Sequence, residues 1–137
     1  MKHIRFPYNG AGIGLVCNGS ILIGKRSKKP FLGTWSVPGG GKEKGEDYLT
    51  CAKREFWEET GCDLDSLYPD ILCSWSLSFL PFFKWTTYFY KIDAFDCKLK
   101  PNEFSCLEWV PLEKIKARKC RPFTSCEINK LAAILSK

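Results

Sequence analysis

The stretch Gly40–Cys62, GGKEKGEDYLTCAKREFWEETGC, constrains this chain more than any other part of it. Glycines crowd its front end, at Gly39, Gly40, Gly41 and Gly45, where a backbone without Cβ atoms lets a ligand come close. Carboxylates crowd its back end. Glu55, Glu58 and Glu59 stand at i, i+3 and i+4, so on a helix they share one face. Like charges stacked in that way repel, and a helix that tolerates them usually has a cation to hold. Carbonyls of a glycine turn and carboxylates of a helix suit Mg²⁺ or Mn²⁺ better than softer metals. Mg²⁺ takes one or two carboxylates and fills its shell with substrate phosphates and water. The composition of the run therefore points to metal-assisted attack on a phosphate ester or anhydride.

The surrounding pattern places strands on both sides of one central helix. Ala11–Cys17 and Ile21–Lys25 read as hairpin strands joined by Asn18-Gly19, a strong hairpin signal. Ser27–Gly33 reads as a polar loop, and Thr34–Val37 as a short strand stopped by Pro38 and the glycines. A helix is expected from about Asp47 to Thr60, with Leu49, Cys51, Ala52 and Phe56 toward the core. Glu46 and Asp47 put negative charge at its start, and Gly61 is a good stop. Strands are expected at Ile71–Phe79, Thr86–Ile92 and Leu107–Val110, with Pro81 marking a turn or bulge. A short helical piece follows Pro111 to about Ala117, and a closing helix covers Ser125–Ser136 with Thr124 or Ser125 as its N-cap. This order predicts an α/β protein in which a mixed β-sheet is sandwiched between helices.

A chain of 137 residues, 45% hydrophobic and 15% aromatic, accommodates one globular domain over residues 1–137. No apolar run approaches the roughly 20 residues of a membrane span. MKHIRFPYNG at the N-terminus lacks the apolar region of a signal peptide, so a cytoplasmic location is expected. The 8 cysteines include no Cys-x-x-Cys pair and the single histidine is His3, so a zinc site lacks its usual ligands. Several cysteines lie in apolar patterns such as GLVC and DILC, and reduced, buried thiols are expected rather than a disulfide framework. The net charge of +6 suits an anionic substrate such as a nucleotide and would permit RNA contact. Lys and Arg are scattered, which favours a solvated surface over a nucleic-acid platform.

Residue for residue, the opening run resembles the Nudix box, a pattern of Gly, Glu, Arg-Glu, Glu-Glu and Gly at fixed spacing with bulky apolar residues between. Gly40 and Glu46 open it, Arg54-Glu55 is followed by the apolar Phe56, Glu58-Glu59 by Gly61, and Cys62 stands in for the final aliphatic residue. The resemblance implies a Nudix-type α/β/α sandwich and a Mg²⁺- or Mn²⁺-dependent pyrophosphohydrolase. Such an enzyme cleaves a phosphoanhydride bond of a nucleoside diphosphate linked to another moiety. It also implies that Glu55, Glu58 and Glu59 bind the metal together with the Gly40 carbonyl. Glu55 or Glu58 would orient or deprotonate the attacking water, Arg54 would orient a catalytic carboxylate, and Glu46 would brace the loop against the helix. Many relatives bring a further base from a downstream loop, and here Glu103 is preferred over Glu108 for that role.

Outside the box, Arg26 ends the second strand near the glycine turn, where relatives often carry a basic residue that contacts phosphates. Phe79, Phe82, Phe83 and Trp85 form an aromatic excess around Pro81. Phe79 and Phe83 are candidates to stack on a nucleobase, although core packing is the commoner fate of such rings. Trp35 is expected to pack beneath the loop. The approach Trp35–Gly40, W-x-x-P-G-G, is most similar to that of MutT-like enzymes acting on (deoxy)nucleoside triphosphates. This choice is by elimination, since markers of the NADH, ADP-ribose and dinucleoside polyphosphate branches are absent or misplaced. The alternatives are ADP-ribose or dinucleoside polyphosphate hydrolysis, pyrophosphate removal from an RNA 5′ end, and a non-catalytic binding module. A small-molecule nucleotide is the expected partner, with RNA permitted but not favoured and no membrane.

Overall fold

The first strand, β1 (Tyr8–Cys17), is buried on both faces from Gly10 onward, and its side chains alternate between two cores. Ala11, Ile13, Leu15 and Cys17 fall in one buried cluster, and Val16 falls in the other. The computed structural model describes residues 7–27, 31–79, 81–102 and 104–136. A hairpin links β1 to β2 (Ser20–Arg26), with Val16 opposite Ile21. Asn18 and Gly19 carry φ of 51° and 76°, the left-handed pair that a tight two-residue hairpin requires. The remaining strands are β3 (Trp35–Ser36), β4 (Gly39–Gly41), β5 (Asp70–Phe79), β6 (Phe83–Ile92) and β7 (Phe104–Pro111). Together they form a 7-stranded sheet with the order β3-β2-β1-β6-β5, in which β4 joins β1 and β7 joins β2. β1 and β6 run parallel while the other strand pairs run antiparallel, so the sheet is mixed.

Each face of the sheet is covered by a helix. Helix α1 (Tyr48–Thr60) seals one core with Cys51, Ala52 and Phe56 against Ala11, Ile13, Leu15 and Leu22. Helix α2 (Thr124–Leu135) brings Ile128 and Leu131 to the other, against Val16, Ile21, Ile23, Trp85 and Phe89. Short 3₁₀ helices occupy Leu64–Leu67 and Leu112–Ala117. The α/β/α sandwich expected from the element order is the observed architecture.

Four local expectations are corrected. The glycines do not merely stop β3; Gly39–Gly41 form a strand of their own opposite Gly10–Gly12. Helix α2 has no side-chain cap, because Phe123 precedes it at a φ of 67° and Thr124 already lies inside. Leu49 is only half-buried, whereas Cys51 is fully buried. Cys62 and Cys97 form a disulfide, while Cys17, Cys51, Cys73, Cys106, Cys120 and Cys126 are free thiols, so the all-reduced expectation fails for that pair. The two sulfurs meet because residue 62 leaves α1 where the segment after β6 crosses it. There Lys100 N–H donates to Thr60 O at 2.8 Å, an approach that 35 residues of separation conceal in the sequence. His3 and Glu103 lie outside the described residues.

Candidate active site

Helix α1 is fixed at both ends by its own sequence. The Asp47 side chain accepts from Thr50 N–H at 2.7 Å, and Gly61, at φ 77°, donates its N–H to Trp57 O. The helix then presents Glu55 and Glu59 inward, at 1% and 2% exposure, while the Glu58 side chain remains 36% exposed. Buried carboxylates need donors. Glu59 Oε2 accepts Gly39 N–H at 3.0 Å, which ties the end of the helix to β4. Glu55 Oε1 accepts from Arg54 Nη1 at 3.1 Å.

Arg54 is the hub of the site. Its Nε and Nη2 grip Glu46 at 2.7 and 2.9 Å in a bidentate pair. Nη2 also donates to Gly41 O at 3.0 Å, and Nη1 to both Glu58 oxygens at 3.2 Å. Glu46 Oε1 further accepts Glu43 N–H at 3.1 Å, so the loop before the helix is bound to the helix through one guanidinium. That hydrogen bonding holds the Glu46 carboxyl down at about 2 and raises Arg54 above its ordinary value.

The glycines of β4 alternate in what they face, as strand residues must. A Cβ at Gly40 would lie 2.6 Å from Glu55 Oε2, and one at Gly39 would lie 2.8 Å from the Trp85 indole. Glycine is therefore the residue that lets the Glu55 carboxylate rest against the backbone of residue 40. Beside it, Cys51 Sγ donates to Gly40 O at 3.5 Å, and burial pushes the Cys51 thiol up to about 12, which keeps it protonated.

The donor set gathered here is all oxygen: three carboxylates and the carbonyls of a glycine strand. That chemistry fits a hard divalent cation. Among the described residues no group of three or more acidic, cysteine or histidine side chains is arranged to hold a metal ion by itself. An open oxygen set matches Mg²⁺, which keeps several waters and shares its shell with substrate phosphates.

The other expected residues divide. Arg26 is half-buried at the end of β2, and its backbone closes the following loop through Thr34 O and Gly33 N–H. Phe83 stacks on Tyr8 at 5.7 Å, and Tyr8 lies beside Gly41, so the Tyr8 ring links Phe83 to the glycine strand. Phe79 is 63% exposed and meets Phe83 at 6.3 Å, one ring further out. Trp35 is buried as expected, with the Arg118 guanidinium 4.5 Å over its ring. Glu108 is occupied by Arg118 Nη2 at 2.9 Å on the strand that faces β2. Tyr8 was not anticipated; burial raises its hydroxyl to about 12. Its only sequence signal is its place two residues before Gly10, the residue that pairs with Gly41.

Glu59, Cys51 and Arg54 thus tie the glycine strand to the acidic helix inside an α/β/α sandwich. The profile of the NUDIX domain family matches residues 8–126, and the chain belongs to that family. It is 35% identical over 127 residues to an RNA pyrophosphohydrolase of Pelagibacter ubique, covering 78% of this chain and 78% of that protein. An RNA pyrophosphohydrolase of Roseobacter denitrificans is 41% identical over 59 residues, 42% of this chain and 36% of that protein. Against that relative and others of the same description the match spans about a third of their length. Among solved structures, a Nudix hydrolase from M. smegmatis, RenU, superposes with a TM-score of 0.78 at 18% identity, over 95% of this chain and 86% of that one. A MutT Nudix hydrolase from Burkholderia pseudomallei does so at 0.70 and 25% identity, over 89% and 95%.

Proposed function

We propose that this protein is a Mg²⁺- or Mn²⁺-dependent pyrophosphohydrolase, acting as one Nudix domain on a phosphoanhydride bond of a nucleotide, with a (deoxy)nucleoside triphosphate as the preferred substrate class. The observation that carries this reading is the Arg54 hub, which joins Glu46, Glu55 and Glu58 to the carbonyl of Gly41. Glu55, Glu58 and Glu59, with the Gly40 carbonyl, are the groups that would hold the cation. When bound, it would neutralise phosphate charge and fix the attacking water. The chain's own residues supply the rest. Arg54 orients the Glu55 and Glu58 carboxylates, and Glu58, the exposed member, is placed to orient or deprotonate a water. Glu59 holds Gly39 so that β4 keeps its position. Arg26 remains a candidate for phosphate contact and Phe83, backed by Tyr8, for the base.

A second reading, removal of pyrophosphate from an RNA 5′ end, is favoured by one observation, the Pelagibacter relative of that description. Both readings use the same anhydride chemistry, and a cytoplasmic setting suits either. The test is a hydrolysis screen with Mg²⁺ and Mn²⁺ over (d)NTPs, ADP-ribose, dinucleoside polyphosphates and triphosphorylated RNA, with products identified by mass. Wild type should hydrolyse at least one of these, and Glu58→Gln should be slower by roughly 100-fold or more with an unchanged Tm. Equal rates in the two proteins would remove the catalytic assignment.

A further inference from the structure

Two of the carboxylates at the proposed centre, Glu58 and Glu59, stand in the last turn of α1, which ends at Thr60. The final carbonyls of a helix have no partner within it, so such a turn frays unless groups outside the helix donate to them. Gly61 N–H donates to Trp57 O at 2.9 Å. Further donors come from residues 93–102, a segment after β6 that carries neither helix nor strand. Lys100 N–H donates to Thr60 O at 2.8 Å, and Asn102 Nδ2 reaches Glu58 O at 3.5 Å. The segment lies close: a Cβ added at Gly61 would come within 3.1 Å of the Lys100 side chain.

Without a strand ladder, the segment is held by side chains. Phe95 meets the Trp109 ring edge-on at 5.0 Å, and Phe95, Cys97 and Leu99 pack half-buried against the core beneath α1. The covalent hold is the Cys62–Cys97 disulfide, which joins the residue after the Gly61 cap to the middle of the segment. Six other cysteines are free thiols, with Cys126 exposed and Cys73, Cys106 and Cys120 half-buried. Accessible thiols left free argue against a strongly oxidising setting, and in a reducing one a disulfide is usually redox-sensing. Cys62 is 1% exposed whereas Cys97 is half-buried, so a small thiol approaches the bond from the Cys97 side.

We propose that the Cys62–Cys97 disulfide is a redox switch on the metal-holding turn. Oxidised, it straps residues 93–102 across the end of α1 and keeps Glu58 and Glu59 in place. Reduced, it frees the strap, and the turn holds the cation less tightly. The role of the two glutamates rests on the metal-dependent hydrolase reading above. The chemistry is exchange with a low-molecular-weight thiol such as glutathione. Its thiolate attacks Cys97 Sγ, and the Cys62 sulfur leaves and takes up a proton. A second thiolate attacks the small-molecule sulfur of the mixed disulfide, and Cys97 leaves as a thiol. Two small thiols thus become one disulfide while the protein disulfide becomes two thiols, and oxidation runs the same steps in reverse.

The test equilibrates the full chain in glutathione buffers from fully oxidised to fully reduced. Alkylation and mass read the Cys62–Cys97 bond, and calorimetry reads Mn²⁺ binding at both ends, with Cys97→Ser alongside. The bond should open and re-form while the chain stays folded. Reduced wild type and Cys97→Ser should bind Mn²⁺ on the order of 10-fold or more weakly than the oxidised protein, and Cys97→Ser should ignore the redox state. Amide exchange at residues 57–62 of the metal-free chain should speed up on reduction. Asn102→Ala leaves the disulfide intact and should reproduce part of the weakening in the oxidised protein. Reduced wild type carries the comparison if Cys97→Ser fails to fold. Equal Mn²⁺ affinity in the two redox states overturns the proposal, as does a bond that stays closed, or open, across the whole glutathione range. Unfolding on reduction overturns it too, since the bond would then be a structural staple. A chain whose Mn²⁺ affinity follows the redox state but which cleaves no nucleotide sinks the hydrolase reading and leaves the switch standing. One that cleaves a nucleotide equally well in both states, at equal Mn²⁺ affinity, sinks the switch alone.

Discussion

Replacing Arg54 with methionine keeps an apolar stem and removes the guanidinium shared by Glu46, Glu55 and Glu58. The upward displacement of Arg54 collects all three carboxylates, so the Glu46 side isolates one pair more cleanly. Glu46 is held at about 2 against an ordinary 4.5, first by its hydrogen bonds to Arg54. At 1.36 kcal/mol per pH unit this corresponds to about 3 kcal/mol. The Glu46 and Arg54 side chains are 10% and 22% exposed, so solvent screens part of it. About 2 kcal/mol is the expected remainder. The sign follows from the direction of the shift. A carboxyl held low in the folded state contributes stability above pH 4.5, and that contribution is lost as pH falls through about 2. Urea denaturation of wild type and Arg54→Met from neutral pH down to the acid limit should therefore show a gap of about 2 kcal/mol at neutral pH that closes in acid. A gap of the same size at every pH would assign the loss to packing of the stem and refute the electrostatic argument.

Gly40→Ala should displace the Glu55 carboxylate, since the new Cβ would sit 2.6 Å from its Oε2; stability should fall by about 1–3 kcal/mol and hydrolysis with it. A Gly40→Ala protein as active and as stable as wild type would show that the strand yields without cost. Cys97→Ser, or reduction of the wild type, should lower stability by about 3–4 kcal/mol for a loop of this length, read from urea midpoints with and without reductant. Burial pushes the Glu127 carboxyl up to about 7. Its contribution is therefore present below pH 4.5 and is lost as pH rises through about 7, so wild-type stability should carry a downward slope there that Glu127→Gln lacks.

Much of the fold was legible because its signals are local. Asn18-Gly19 sets a hairpin by backbone preference alone, and Asp47 and Gly61 bound α1 through contacts within one helical turn. Other features depend on partners distant in the sequence. Gly39–Gly41 look like a strand stop until Gly10–Gly12 are placed beside them, and Cys62 looks like a buried thiol until Cys97 reaches it. Phe123 takes a conformation that its own side chain disfavours, held among Trp75, Phe83 and Trp85, so no cap signal marks the start of α2.

The sequence by itself determined the acidic helix and its phosphate chemistry, because three glutamates and an arginine at helical spacing share a face wherever that helix is put. Only the tertiary structure decided which carboxylate is exposed and what stands behind the glycines. Glu58 stays partly exposed at the rim of that face while Glu55 and Glu59 are buried, a division set by how α1 rolls onto the sheet. No motif in the sequence singles out Arg121 or Glu127. They become a buried pair because α2 closes the sheet face that Trp85 and Thr87 present, and packing across 40 residues of sequence cannot be read from spacing.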